Sequence, residues 1–196
     1  RPTVVVLNEL NQSETNAYVA GLNSRYGVTD WVGHYYPACE TASGSTCTDW
    51  APGGTALLTR EPTIEVVPHY VWQADFYTDG RAVIRPRLEL ANGARPLVFA
   101  VHQPTGKAPD GSSDPSARRA ATRELRAIAD SFADDIRLIG GDFNNLPNGV
   151  EIQEFNANYE ETKQRLSVHG SRSTIWRLTS VEGAEKVAEH ELDFAY

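Results

Sequence analysis

Four apolar runs in this sequence end in polar residues that can bind a cation or move a proton. The runs are VVVLNEL, VFAVHQP, RLIGGDFNN and HELDFAY, and their polar residues are Glu9, His102, Asp142, Asn144 and Asp193. Short apolar runs rich in β-branched residues predict strands. Residues just beyond strand ends are a usual place for a site on a rigid frame. The sequence therefore predicts a sheet-rich fold with one site assembled from several strand ends.

The segment IRLIGGDFNNLPNG contains the densest group of these residues. Gly140 and Gly141 allow a tight turn or a close approach of the backbone to a ligand. Asp142 and Asn144 leave the strand end on the same side, because side chains alternate with a period of two. Their oxygens suit Mg²⁺, Mn²⁺ or Ca²⁺ better than zinc. The same residue types are common in turns, so this segment alone is compatible with a turn or a site.

The order of elements indicates an α/β protein with a mixed, mainly antiparallel sheet core. Strands are predicted at 3–7, 55–59, 63–67, 81–90, 95–102, 136–139, 173–180 and 190–196. The turn ANGA between two of these runs is typical of a hairpin. Ile136, Leu138 and Ile139 suit a covered strand, whereas residues 31–53 are interpreted as a loop rich in Trp, Tyr, Gly, Ser and Thr.

Two segments predict helices. Residues 13–27 begin with capping residues and end at Gly27, and their apolar residues are Ala17, Val19, Ala20 and Leu22. The second helix begins at Pro115, with Asp114 as its N-cap. Its apolar residues Ala121, Leu125, Ile128 and Phe132 recur at spacings of three and four, which predicts one buried stripe.

Composition is that of one soluble globular domain, spanning residues 1–196. The hydrophobic share is 40% and the charged share is 22%, and no run approaches the ~20 apolar residues of a membrane helix. We therefore expect no stable membrane insertion. The net charge of −8 argues mildly against nucleic acid, although bound divalent cations reverse the sign locally. Met is absent even at position 1, which indicates a processed or trimmed chain.

Two cysteines, Cys39 and Cys47, lie in the segment CETASGSTC. The residues between them are mostly small and polar, and no second Cys pair or His cluster completes a zinc site. A disulfide that clips a surface loop is the preferred interpretation, and free thiols in a flexible loop are the alternative. A disulfide implies an oxidising compartment, so the protein is expected to be secreted.

Five segments, in this order, resemble motifs of the endonuclease/exonuclease/phosphatase superfamily, the metal-dependent phosphodiesterases related to pancreatic-type deoxyribonuclease. They are VVVLNEL, GTALLTREP, GRAVIRPRLELANGARPLVFAVHQP, GGDFNNLP, and STIWRL with ELDFAY. The resemblance implies two stacked, mainly antiparallel or mixed β-sheets flanked by helices. It also implies a site at one edge of that sandwich.

The resemblance also implies a role for each matching residue. Glu9 would bind the metal, which would be Mg²⁺ or alternatively Mn²⁺ or Ca²⁺. His102 would protonate the leaving group or stabilise the phosphate, and Asp142 would orient or deprotonate the attacking water. Asn144 would hold a phosphate oxygen or the metal, and Asp193 would orient a second histidine or balance its charge.

Arg81 would contact phosphate. The family usually has a strand ahead of the Glu9 motif and a Ser-Asp-His motif after the Asp193 strand. Neither is present in this sequence, so we expect the domain to be incomplete at both ends.

The expected function is metal-dependent hydrolysis of phosphodiester bonds by a secreted nuclease acting on DNA or RNA. The alternatives are a lipid or inositol-phosphate phosphodiesterase or phosphatase, and a catalytically inactive binding member, because one fold carries all of these functions. Nucleic acid is the expected substrate, and protein partners are unknown. The aromatic residues Trp31, Tyr35, Tyr36 and Trp50 suit either base stacking or packing of the loop around the disulfide.

Overall fold

The structure is a computed structural model that describes residues 4–43, 46–71, 82–104, 112, 114–132, 136–144, 175–180, 183–188 and 193–195. Only the backbone is described for residues 39–43, 46–52, 67–71, 82, 175–180, 183–188 and 193–195. The strands are β1 (Val4–Leu10), β2 (Val32–Ser43), β3 (Thr46–Thr59), β4 (Thr63–Val71), β5 (Ala82–Leu88), β6 (Leu97–His102), β7 (Arg137–Asp142), β8 (Ile175–Ser180), β9 (Gly183–Ala188) and β10 (Asp193–Ala195). The helices are α1 (Gln12–Tyr26) and α2 (Pro115–Asp130).

The strands form two main sheets. Sheet A has the order β1-β3-β2 and is antiparallel. Sheet B has the order β10-β7-β6-β5-β4; its β6–β7 pair is parallel and its other pairs are antiparallel. A third, two-stranded sheet contains β8 and β9. The predicted fold class is confirmed.

Apolar alternation along the strands stacks these sheets face to face. Val4, Val6 and Leu57 of sheet A lie with Ile84, Leu88, Val98 and Ala100 of sheet B in one buried cluster. On the outer face of sheet A, Val5 and Leu7 pack with Val19 and Leu22 of α1. On the outer face of sheet B, the predicted stripe of α2 packs against β6 and β7. The result is a helix–sheet–sheet–helix sandwich with both faces of β6 buried.

Local signals set the limits of both helices. Asn11 caps α1 through a capping box, in which its side chain accepts from Glu14 N and its own N–H donates to the Glu14 carboxylate. Gly27, in the left-handed conformation, ends α1. The predicted cap of α2 is confirmed, because Asp114 Oδ1 accepts from Ser116 N at 2.9 Å.

Three details differ from the predictions. Residues 31–53 are not a loop, because most of them lie in the long hairpin of β2 and β3. Strand β9 was not expected, since its sequence GAEKVA lacks an apolar run. Ile139 of β7 is buried, but Leu138 of the same strand and Ile136 just before it are 42% and 56% exposed. Leu138 is the register partner of Val98, which faces sheet A, so the described part of sheet A covers this part of the inner face of β7 only partly.

Candidate active site at the edge of the sandwich

Strand β6 delivers His102 to the space between the sheets. Phe99 and Val101 pack under α2, whereas Val98 and Ala100 face sheet A. His102 continues the phase of Val98 and Ala100, because side chains alternate along a strand. Its side chain is only 3% exposed. The apolar alternation of β6 therefore directs an imidazole toward sheet A.

Strand β7 places Asp142 beside His102. The two residues are partners in the parallel register of β6 and β7. This pairing requires a glycine at position 141, where φ is +140° and a Cβ atom would lie 1.9 Å from the carbonyl oxygen of Val101. The Asp142 side chain is 25% exposed. One of the two glycines in the GGDFN segment thus serves close strand pairing next to the site.

Hydrogen bonds hold the loop after β7 in place. The backbone N–H of Asn144 donates to Asp142 Oδ1 at 2.7 Å, and Asn144 Nδ2 donates to the carbonyl of Gln103 at 2.6 Å. The N–H of Gln103 in turn donates to the carbonyl of Asp142 at 2.8 Å. Asn144 has a φ of +49°, which Asn tolerates better than most residues. These bonds fix one oxygen of Asp142 and the plane of the Asn144 amide.

Sheet A contributes Glu9 through a β-bulge. Asn8 pairs with Thr55 and Leu10 pairs with Gly54, so Glu9 is the extra residue, with a φ of +61°. The Glu9 side chain is 73% exposed. In contrast to His102, this carboxylate is open to solvent.

The imidazole of His102 lies between the two carboxylates. Its Nε2 is 3.8 Å from Glu9 Oε1 and 3.7 Å from Asp142 Oδ2. Both distances are too long for a direct hydrogen bond. They are within the range of an ion pair when the imidazole is protonated. Three strand ends from two sheets therefore meet at one point, and Asn144 lies beside them.

The remaining predicted site residues are only partly described. The backbone of Asp193 pairs with Asp142 across β10 and β7, but its side chain lies outside the described part. Arg81 lies outside the described residues. Cys39 and Cys47 lie on β2 and β3, and their side chains also lie outside the described part, so the disulfide stays a prediction.

The donor set fits a hard divalent cation. Among the described residues, no group of three or more His, Cys, Asp or Glu side chains is suited to hold a metal. Mg²⁺ does not need such a cage, because it usually keeps several waters and binds one or two carboxylates together with substrate phosphates. The exposed carboxylate of Glu9 meets that requirement, and the described site has no thiolate that would favour zinc.

Sequence reasoning missed three residues that support the site, namely Gln103, Thr55 and Asn8. Gln103 is fully buried and clamps Asp142 and Asn144 through its backbone. Thr55 Oγ1 donates to Asn8 Oδ1 at 3.2 Å, next to the bulge. No local sequence signal joins Asn8 to Thr55, because their contact depends on the register of β1 and β3.

The aromatic residues of 31–53 fit packing better than base stacking. Trp31 is 2% exposed and lies in the cluster under α1. Tyr35 packs against the same cluster and Tyr36 against the inter-sheet core, and burial raises the pKa of both phenols. The side chain of Trp50 lies outside the described part. Trp31 is therefore too buried to stack on a base.

Comparison with known families gives one match over most of the sequence. A model described as the Endonuclease/Exonuclease/phosphatase family matches residues 1–186. No protein of curated function matches the chain at a significant level.

Solved structures share the fold at low sequence identity. The catalytic domain of human nocturnin, solved with bound sulfate anion, is 17% identical with a TM-score of 0.57; the match covers 99% of this chain and 68% of that one. An endonuclease/exonuclease/phosphatase family protein from Leptotrichia buccalis C-1013-b is 14% identical with a TM-score of 0.63, and the match covers 98% and 74% of the two chains. A humanized D. rerio TDP2 is 16% identical with a TM-score of 0.52, covering 99% and 69%.

Proposed function

We propose that this chain, which belongs to the Endonuclease/Exonuclease/phosphatase family, is a Mg²⁺-dependent nuclease that hydrolyses phosphodiester bonds. The family points to a hydrolase acting on phosphoester bonds, and its members typically depend on divalent metals. To this family-level activity we add two proposals: the ion is Mg²⁺, and the substrate is a nucleic acid.

The main support for the proposal is that the side chains of Glu9 and Asp142 both lie close to His102. Glu9 comes from sheet A, while His102 and Asp142 come from neighbouring strands of sheet B, and Nε2 of His102 lies within 3.8 Å of both carboxylates. Keeping this carboxylate away from apolar neighbours does not by itself require that it face a buried histidine. The backbone strain at Glu9 is of a kind commonly found at functional sites.

Asp142 and His102 divide the proton transfers of hydrolysis. Asp142 accepts a proton from the attacking water, whose oxygen forms the new bond to phosphorus. His102 gives a proton to the oxygen whose bond to phosphorus breaks. The backbone N–H of Asn144 holds Asp142 Oδ1, and Oδ2 faces His102. General acid–base help of this kind typically contributes ~10²–10⁴-fold each.

Asn144 positions the substrate at the edge of this pair. Its Nδ2 donates to the carbonyl of Gln103, so the amide plane is fixed before a substrate arrives. A fixed donor costs no reorganisation during the reaction. We infer that the amide contacts a phosphate oxygen or the attacking water.

Glu9 would hold the cation. When bound, the cation supplies neutralisation of charge on the phosphate oxygens. The described environment of Glu9 leaves room for the waters that Mg²⁺ retains, since its side chain is 73% exposed.

A nucleic-acid substrate is supported by the charge on α2. This helix carries four arginines against one glutamate and one aspartate: Arg118, Arg119, Arg123, Arg126, Glu124 and Asp130. Arg119 and Arg123 are exposed. A local excess of positive charge in a chain of net charge −8 favours an extended polyanion. Arg81 would add a phosphate contact.

Substrate assays test the proposal directly. Purified protein would be incubated with supercoiled plasmid, single-stranded RNA, sphingomyelin and inositol phosphates, each with Mg²⁺ and with excess EDTA. We expect Mg²⁺-dependent cleavage of DNA or RNA. Cleavage of a lipid or an inositol phosphate alone would assign the alternative substrate class. Inertness toward all four would indicate a binding member of the family.

Secretion is proposed from the predicted disulfide between Cys39 and Cys47. Alkylation of the non-reduced protein followed by mass spectrometry should find neither thiol modified. Two alkylated thiols would contradict both the disulfide and the assignment to an oxidising compartment.

A further inference from the structure

We propose that Thr55 is a positioning residue for Glu9, acting through Asn8. Its hydroxyl fixes the start of the bulge that turns the Glu9 carboxylate toward His102. This inference rests on the proposed function, in which Glu9 binds the cation, and it adds a residue that positions Glu9. It assigns a role to a partly buried pair that does not itself touch the reacting atoms.

The phase of β1 shows what the bulge does. Val5 and Leu7 face α1, so in a regular strand the next residue on that side would be Glu9. In the structure Leu10 occupies that side instead, in contact with the cluster under α1. The extra residue thus moves a carboxylate out of an apolar layer, where burial would be costly, and directs it to within 3.8 Å of His102.

Backbone features make the bulge possible but do not favour it. Glu9 has a φ of +61°, which costs a residue with a Cβ atom roughly 1–2 kcal/mol. On the facing strand Gly53 has a φ of +95°, and a Cβ there would lie 3.9 Å from the Cα of Glu9. Gly53 thus leaves room opposite the bulge but does not stabilise it, so other contacts must offset the strain at Glu9.

Side-chain hydrogen bonds hold the chain on both sides of Glu9. On the N-terminal side, Thr55 Oγ1 donates to Asn8 Oδ1 at 3.2 Å. Thr55 is 3% exposed, so its hydroxyl is shielded from solvent. On the C-terminal side, Asn11 begins the capping box of α1. Loss of the Thr55 hydroxyl would remove this bond on the Asn8 side and favour relaxation of the strained bulge.

Three variants test this role. Thr55→Val keeps the shape and removes the hydroxyl, whereas Thr55→Ser keeps the hydroxyl. Thr59→Val is the matched control: Thr59 lies on the same strand, is fully buried, and bonds through its hydroxyl to the backbone of Glu61. Each variant would be crystallised, its affinity for Mn²⁺ measured by electron paramagnetic resonance, and its Mg²⁺ concentration for half-maximal cleavage determined.

We expect Thr55→Val to displace the Glu9 carboxylate from His102 and to weaken Mn²⁺ binding about tenfold, as is typical when an outer-shell partner is lost. Thr55→Ser should retain both properties, and Thr59→Val should lower thermal stability without moving Glu9. An unmoved Glu9 with unchanged Mn²⁺ affinity in Thr55→Val would overturn the inference. If the wild-type protein neither binds Mn²⁺ nor cleaves any substrate, the proposed function fails, and the crystal structures alone decide the role of Thr55.

Discussion

The two sheets build their halves of the site in opposite ways. Sheet A offers Glu9 from a strained bulge, with a side chain that is 73% exposed. Sheet B offers His102, which is 3% exposed, and Asp142, which is 25% exposed, from a regular parallel pair of strands. One half is therefore open and held by a few side-chain bonds, while the other is packed and held by the sheet itself.

This difference matches the chemistry assigned to each half. A Mg²⁺ ion that retains water needs access to solvent. Proton transfer benefits from a shielded and preorganised environment, in which hydrogen bonds and charges interact more strongly than in water. The site thus combines an exchangeable cation position with fixed proton-transfer groups, and substitutions should affect the two halves differently.

The largest loss of activity should come from substitution of Asp142 in the packed half. Asp142→Asn keeps an oxygen that can accept from Asn144 N–H, so the loop should stay folded while the base is lost. We expect kcat to fall by about 10²–10⁴-fold with little change in the thermal midpoint. Asp130→Asn is the control, because that carboxylate pairs with Arg126 and Arg137 away from the site. Equal activity of both variants would contradict the role of Asp142.

Stability should be most sensitive to the strand pair beneath His102. In Gly141→Ala a Cβ atom would overlap the carbonyl of Val101 at a φ of +140°. We expect a loss of about 2–4 kcal/mol in the free energy of unfolding, measured by urea denaturation. Gly93→Ala is the control, since a Cβ at Gly93 has no neighbour within 4 Å and only the positive φ of +79° opposes it. A loss at Gly141 no larger than at Gly93 would show that the strand pair is less rigid than described.

Substitution of Glu9 in the open half should change the Mg²⁺ concentration that the protein requires for activity. Glu9→Gln should raise the Mg²⁺ concentration for half-maximal activity by at least about tenfold, since even outer-shell partners of a metal typically contribute 10–100-fold. The fold should be unaffected because the side chain is exposed. Glu89→Gln, which removes a carboxylate from an exposed pair with Arg95, should leave the Mg²⁺ requirement unchanged. An unchanged requirement in Glu9→Gln would place the cation elsewhere.

The smallest expected effect is a dependence of stability on pH, which comes from His34 in the fold and not from the site. Burial lowers the pKa of His34 from its ordinary value of 6.5. Between that lowered pKa and 6.5, the unfolded chain binds more protons than the folded chain, so stability should fall as the pH falls through this window.

Replacing His34 tests the acid effect. His34→Gln should flatten the dependence of the thermal midpoint on pH, while the pH profile of activity stays that of the wild-type protein. The side chain contacts Thr63 Oγ1 at 2.9 Å, so a general loss of stability at all pH values is also expected. A pH dependence as steep as that of the wild-type protein would assign it to other groups.

Much of the packed half was predictable from sequence. The runs around His102 and Asp142 are apolar enough to predict strands, and side-chain alternation places both residues on the inner face. The cap at Asp114 and the stripe on α2 are local signals, and both were confirmed. Local chemistry was sufficient wherever neighbouring residues determine the structure.

The open half was less predictable. Sequence identified Glu9 as a candidate, but not the bulge, because the bulge depends on the pairing of Asn8 and Leu10 with Thr55 and Gly54. Residues 31–53 were misread as a loop for a similar reason. Their Gly, Ser and Thr residues are typical of loops, whereas pairing between β2 and β3, with several register shifts, holds them in a hairpin.

One diffraction experiment tests the central claim that the cation and the proton-transfer groups share one site at His102. Crystals grown with Mn²⁺, at a concentration that supports cleavage, would be measured at the manganese absorption edge. We expect an anomalous peak about 2.0–2.5 Å from a Glu9 carboxylate oxygen, on the side that faces His102 and Asp142. A catalytically active protein with its Mn²⁺ peak remote from Glu9 would contradict it.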